Sequence, residues 1–361
     1  MQIDLEDVLA LGDSVDKVLA SYPAGVASLQ ALKHPGVLRS DAERQLTELG
    51  MRYLYNPVSN GGVDLRAQAL LAERCGRNLY HGASLFQDVV GGYVVSQLSV
   101  LPAGLSTTQM AEGRFNVTVP LGNDAMGNAV QARSSQGVWT LDGVLPIVPY
   151  ASESSHVLVG AQTEAGTAQF FLLPMETSSV DARHSHAVDG TCISSLQLRG
   201  VQLPQDAMVG GDEVAQALAQ AKRHATLTLC FEAVGLMEQL MHKTTQYLQI
   251  RKQFGKTIGE FQALQHRMVR VLLMLEQTRS AAHLALEAMT SGAQDQNNRL
   301  SAAKYAVGVY GQKAAEECIQ LHGGIGMTWE LDVSHYAKRL VMLDHYFDNA
   351  DQSLSQVMAT I

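Results

Sequence analysis

A chain of 361 residues is long enough for two or three domains, and 46% hydrophobic against 17% charged residues describes a globular protein with a well-buried core. The net charge of -9, with no basic stripe, excludes a nucleic-acid-binding surface. Neither a secretory leader nor an apolar run of about 18 residues is readable, so no membrane span is expected and the expected location is cytoplasmic.

Residues 1–110 read as a helical domain. Leu5 to Leu19 is an amphipathic segment. Ser40 before Asp41-Ala42-Glu43 reads as an N-cap with its capping box, and that helix stops at Gly50. A turn-rich loop from Leu54 to Val63 leads into a helix from Leu65 that Gly76 ends, and a further helix covers Gly82 to Leu101. Over residues 111–208 the pattern changes to short β-branched runs at 115–119, 129–132, 138–141, 156–159, 168–173 and 193–198, separated by Gly, Ser, Asp or Pro. Such spacing predicts a small antiparallel barrel or sandwich. His184 and His186 have no Cys or carboxylate companions at ligand spacing and read as loop, not as a metal site. Residues 209–361 read as helices over 212–250, 260–290, 298–322 and 351–360, with a shorter piece at 332–345. That is the composition of a helix bundle. The fold class is therefore α+β in three parts: N-terminal helical domain, middle antiparallel β-barrel or sandwich, and C-terminal four-helix bundle. Cys75, Cys192, Cys230 and Cys318 are scattered without a CxxC pair and read as buried thiols of a reducing compartment.

Between the first two long C-terminal helices lies Arg251-Lys252-Gln253-Phe254-Gly255-Lys256-Thr257-Ile258-Gly259-Glu260-Phe261-Gln262. Apolar residues at helical spacing flank it, Leu227 to Leu248 before and Leu264 to Leu286 after, so it is the turn of a helical hairpin in which Gly255 and Gly259 let the backbone turn. An Arg with an aromatic neighbour at such a corner can hold a phosphate bidentately. Taken alone, the segment reads equally as Arg251 capping a helix end with Phe254 in the core. A second motif, Gln320-Leu321-His322-Gly323-Gly324-Ile325-Gly326, closes the third helix, and His322 there reads as a solvent-facing cap.

In that order and spacing the two motifs resemble the acyl-CoA dehydrogenase family, whose hairpin runs Arg-x-x-Phe-Gly-x-x-Ile and whose second turn runs Gln-x-x-Gly-Gly-x-Gly. Leu54 to Val63 resembles the family's Val-Pro-x-x-x-Gly-Gly-x-Gly segment more loosely, and Gly137 to Gly143 resembles its Gly-x-x-x-Leu-x-Gly hairpin. The resemblance implies FAD as cofactor, a CoA thioester as substrate and an electron-transfer flavoprotein as electron acceptor. It implies that Arg251, Gln253, Phe254 and Ile258, with Phe261 and Gln262 behind them, and Gln320, Gly323 and Gly324 clasp the adenosine diphosphate part of a neighbouring subunit's flavin.

Two features depart from the family pattern. The Thr-Glu-Pro-x-Ala-Gly-Ser-Asp loop and the Trp-Ile-Thr-Asn strand, which meet the flavin ring, stand here as Thr118 to Asp124 and Ile147 to Ala151. The catalytic Glu expected after the double glycine falls on Phe347, leaving Asp348 and Asp351 as the nearby carboxylates, and its alternative position at the start of the long helix falls on Ala225-Thr226. With His335-Tyr336 and Lys338-Arg339-Leu340, the C-terminal stretch is similar to the small, base-lacking subunits of heteromeric acyl-CoA dehydrogenases that act on bulky, including steroid-derived, or dicarboxylyl CoA esters. The resemblance therefore implies a second acyl-CoA dehydrogenase subunit in an α2β2 heterotetramer, no catalytic residue on this chain, and inactivity alone. The alternatives are an active homotetramer using Asp348 as base, or a flavin-free structural or binding homologue.

Overall fold

A computed structural model describes residues 5–22, 37–51, 64–80, 82–122 and 130–360. The loop from Leu54 to Val63 lies outside them. Packing divides the chain into two units, one gathering Gly50–Asp64 with Gly82–Ala225, the other residues 2–49, 65–81 and Thr226–Ile361.

The first unit is built on a sheet of eight strands among the described residues. These are β1 (Val117–Thr118), β2 (Val130–Ser135), β3 (Val138–Pro149), β4 (His156–Thr163), β5 (Ala168–Pro174), β6 (Val180–His186), β7 (Cys192–Pro204) and β8 (Met208–Gly210). Their order is β6-β7-β3-β2-β4-β5-β8, with β1 beside β4. Most neighbours are antiparallel, as the hairpin spacing predicts, but β1 and β2 each run parallel to β4. Inward residues of five strands converge on one core. In it Leu141, Leu145, Val148, Val159, Leu196 and Val201 are fully buried, and Trp139 meets Phe171 edge-on at 5.2 Å. His184 and His186 lie on β6 rather than in a loop, where Nδ1 of His184 is 2.8 Å from the Ser194 hydroxyl. Among the described residues no group of three or more potential metal ligands occurs, and no helix is long and apolar enough to cross a membrane. A π-helical segment, Leu85–Gly92, runs into the short helix Tyr93–Gln97. It presses Gly91 so closely on β1 that a β-carbon there would fall 1.9 Å from the Val117 carbonyl oxygen.

The second unit is helical: α1 (Leu5–Ala20), α2 (Val37–Glu48), α3 (Leu65–Arg77), the body of α4 (Asp212–Ile250), α5 (Gln262–Ser291), α6 (Gln296–Ala306), α7 (Gln312–His322), α8 (Val333–His345) and α9 (Ala350–Met358). Two local expectations fail here. Helix α2 begins at Val37 and runs through Ser40, so Ser40 is not its N-cap. Gly76 does not stop α3; the helix continues to Arg77, and Gly76 serves a backbone contact with α4 instead. A π-helical turn, Val307–Gly311, joins α6 to α7. Gly308 within it leaves room for Asp344, whose carboxylate oxygen would lie 2.1 Å from a β-carbon at that position. All four cysteines are buried and none is in a disulfide.

Candidate functional site

The turn between α4 and α5 is a miniature hairpin. Lys252–Gln253 pairs antiparallel with Lys256–Thr257, and the Ile258 amide donates to the Arg251 carbonyl at 2.8 Å. Its two tip residues, Phe254 and Gly255, have φ of 53° and 80°. Positive φ at both central positions is what a tight two-residue hairpin turn requires, and Gly satisfies it without strain. Phe does not: a bulky side chain in the left-handed region is held there at a cost of roughly 1–3 kcal/mol. Gly259 has a different role from the one expected of it. It is absent from the positive-φ residues, and a β-carbon there would approach the Leu248 carbonyl oxygen to 3.0 Å, so it serves close packing rather than turning. The base of the hairpin is fixed by a capping box between Thr257 and Glu260 and by the Gln265 amide donating to the Gly259 carbonyl at 2.9 Å.

On this rigid frame the outward groups are left open. Phe254 is 91% exposed, which removes the reading of it as a core residue; its ring meets only the edge of Phe261, at 6.1 Å, over which Lys256 sits. Arg251, Gln253 and Gln262 are exposed, and the Arg251 guanidinium has no ion pair or hydrogen bond among the described residues. Ile258 is half-buried at the hairpin base.

Helix α7 ends at His322, and Gly323 takes φ 69° and ψ −150°, a conformation open only to glycine. The chain then closes a 3₁₀ turn over Gly323–Met327. A β-carbon on Gly323 or Gly324 would meet nothing within 4 Å, so the turn presents open space on its side-chain side, while the Gly323 amide itself donates to the Gln320 and Ile319 carbonyls and closes the helix. Gln320 is exposed beside them. His322 is not a solvent-facing cap. It is 5% exposed, its ring is stacked on Tyr247 with centroids 4.5 Å apart and planes 26° apart, and the Tyr247 hydroxyl donates to its carbonyl at 3.3 Å. Burial holds its imidazole below the ordinary pKa. A second link, Arg267 on α5 to Glu317 on α7 at 2.6 Å, ties the same ends of the bundle together. The two motifs thus belong to one unit and are joined by direct contacts, one of which had no signal in the sequence beyond an aromatic a helical turn before Arg251.

Asp348, the base of the alternative reading, lies in water rather than in a pocket. Asp348 is exposed and accepts from Gln356 at 2.9 Å, while Asn349 beside it caps α9. Phe347, in the position where the family pattern calls for Glu, has φ 61°. Ala225 is buried on α4. Two buried polar groups lie outside the expected set. Lys304, 1% exposed, donates to the Asp344 carbonyl at 3.1 Å, and burial lowers its pKa against the pull of the Asp344 carboxylate. His224 packs edge-on against Tyr93 at 4.9 Å, with burial pressing its pKa down to about 4.

An exposed guanidinium with no partner among the described residues, a strained aromatic beside it and an exposed double-glycine turn are features that can meet an anionic group flanked by a flat ring. The family model described as "Acyl-CoA dehydrogenase, C-terminal domain" matches residues 213–346. Acyl-CoA dehydrogenase FadE34 of Mycobacterium tuberculosis is 27% identical over 268 residues, covering 72% of this chain but only 36% of its own length. Glutaryl-CoA dehydrogenase of Desulfococcus multivorans is 27% identical over 322 residues, covering 82% of this chain and 81% of the relative. Among solved structures, the ChsE4-ChsE5 complex from M. tuberculosis shares the fold with a TM-score of 0.86 at 20% identity, covering 99% of this chain and 97% of that one. The Tcur3481-Tcur3483 steroid ACAD G363A variant has a TM-score of 0.83 at 22% identity, covering 98% of this chain and 97% of that one. Glutaryl-CoA dehydrogenase of Mycobacterium smegmatis in complex with FADH2 has 0.83 at 19% over 99% and 95%. Residues 213–346 thus match the C-terminal domain of the acyl-CoA dehydrogenase family, and most of the chain is similar in sequence to relatives of that name.

Proposed function

We propose that this chain is the base-lacking subunit of a heteromeric, FAD-dependent acyl-CoA dehydrogenase that desaturates a bulky, steroid-derived CoA thioester. The observation that carries the reading is the state of Arg251, Phe254, Gly323 and Gly324: all four are exposed on rigid turns, the Arg251 guanidinium has no partner among the described residues, and Phe254 meets Phe261 at a ring edge while staying 91% exposed. Strain at Phe254 that does nothing for this chain's own packing is best explained by a partner that covers it. In support, two fold neighbours are heteromeric by their descriptions, one of them a steroid enzyme. The reading takes residues 1–110, 111–208 and 209–361 as the family's three successive domains.

Bound at this grip, the flavin of the assembly would supply the hydride acceptor of the α,β-desaturation. This chain's share is binding and orientation. Arg251 would neutralise the diphosphate, Gln253 and Gln320 would offer amide contacts, Phe254 would cover the base, and the Gly323-Gly324 turn would let the nucleotide approach the backbone where a side chain would obstruct it. Asp348 takes no part: its carboxylate is hydrated, and a base for α-proton removal needs partial desolvation to raise its pKa. The partner subunit supplies the proton acceptor, and electrons leave through an electron-transfer flavoprotein in the cytoplasm. Expression of the chain alone and together with its partner subunit tests the reading through flavin absorbance. Little flavin alone, about one flavin per heterodimer together, and release of flavin by Arg251→Ala are expected. A yellow, active particle made only of this chain would overturn the proposal.

A further inference from the structure

The hairpin and the double-glycine turn meet through two residues that neither motif includes. Tyr247 lies one helical turn before Arg251, whose amide donates to the Tyr247 carbonyl at 2.9 Å. His322 directly precedes Gly323. Their rings stack at 4.5 Å and 26°, and the Tyr247 hydroxyl donates to the carbonyl that His322 presents to the turn, at 3.3 Å. The stack is locked from both sides. His322 Nδ1 is 2.8 Å from the Cys318 carbonyl oxygen, so Nδ1 carries the proton and the ring cannot flip without losing that bond. The turn folds back over the same residue: a β-carbon on Gly326 would lie 2.9 Å from both the His322 β-carbon and the Ile319 carbonyl oxygen. A ring pair so enclosed has one spacing available to it.

We infer that the Tyr247–His322 stack is a positioning strut: it sets the distance between the Arg251 guanidinium and the Gly323-Gly324 turn, and so tunes the grip to a nucleotide with two linked phosphates. This rests on the reading of both motifs as a nucleotide clasp. The physical reason is that a divided site gains affinity only while both halves reach one ligand at once, and a slack of about 1 Å in the support forfeits that gain. A ligand with one phosphate engages one half and is indifferent to the spacing.

The test uses the full-length chain in its native assembly, stripped of flavin, with affinities for FAD and FMN read by flavin fluorescence alongside Tm. Tyr247→Leu and His322→Ala remove the stack and are expected to lower FAD affinity about tenfold or more while leaving FMN binding within about twofold. Tyr247→Phe and His322→Phe keep two stacked rings, and are expected to keep the FAD preference even though each loses a hydrogen bond. Equal losses for FAD and FMN, or an unchanged preference in the two stack-breaking variants, would overturn the strut. Should the leucine and alanine variants fail to fold, a loss of preference in the two phenylalanine variants would overturn it as well. Arg251→Ala separates the two levels of the argument. If it leaves the FAD preference intact, the nucleotide clasp itself is wrong; if it abolishes the preference while the stack-breaking variants do not, only the strut is.

Discussion

Gly235 lies directly against the backbone of Glu73: a β-carbon placed on it would sit 2.0 Å from the Glu73 carbonyl oxygen. The contact is reciprocal, since a β-carbon on Gly76 would sit 2.1 Å from the carbonyl oxygen of Glu232. Helices α3 and α4 therefore touch backbone to backbone, with a glycine on each side. Gly235→Ala must push them apart, at a cost of about 1–3 kcal/mol or more. A Tm lowered by several degrees in scanning calorimetry is expected, and an unchanged Tm would show that the crossing has slack.

The same stretch of α4 carries a buried ion pair. Arg339 Nε reaches Glu232 at 2.6 Å and its second nitrogen at 3.1 Å, with both side chains almost wholly enclosed. Removing one partner strands the other charge, so Arg339→Met should cost about 3–5 kcal/mol. Adding Glu232→Leu should restore much of that loss, because an apolar pair of similar volume leaves no charge to desolvate. Urea denaturation of the two single variants and the double variant decides it: simple additivity would mean the charges are not coupled.

Acid sensitivity follows from His224. Burial, reinforced by the Arg223 charge, holds its folded pKa at about 4, whereas an unfolded His takes up its proton near pH 6.5. Within that window the unfolded chain binds a proton that the folded chain refuses, so stability falls as pH drops from about 6.5 to about 4, by on the order of 3 kcal/mol in full. His224→Phe keeps an aromatic edge against Tyr93 and removes the titration, and should flatten this limb of a plot of stability against pH. Some slope will remain, because burial also depresses His156, His322 and His335 in the same direction. An identical limb in the variant would assign the effect elsewhere.

At the hairpin tip, Phe254→Gly relieves a left-handed Phe and uncovers no core. The free chain should be as stable as the parent or more so, by up to about 1–2 kcal/mol, while flavin retention in the assembly falls. A marked loss of thermal stability in the isolated chain would show that Phe254 packs on its own subunit.

Much of this organisation was legible because it is written locally. Helix periodicity located α4 and α5, and Arg-x-x-Phe-Gly with Gln-x-x-Gly-Gly marked two turns that the structure brings together in one unit. Strand β6 was not legible: Asp181, Arg183, His184, Ser185 and His186 are all exposed on an edge, so no apolar alternation announces it. Ser40 misled because a capping sequence was outweighed by a helix that begins earlier. Gly76 misled because a glycine that stops a helix and one that admits a neighbouring backbone look alike until the neighbour is present. His322 was misread for the same reason, since its stacking partner is brought to it only by the packing of α4 on α7.

The open apolar surface of the helical unit has a consequence for how the protein is made. Phe254, Val269, Leu272, Leu273, Ile325 and Met327 all face water on the chain by itself. Copies synthesised in excess would stick to one another or draw chaperones and proteases. If the proposed partner subunit covers that surface, matched output of the two polypeptides, ideally from one transcript, is the condition under which it never stays bare for long.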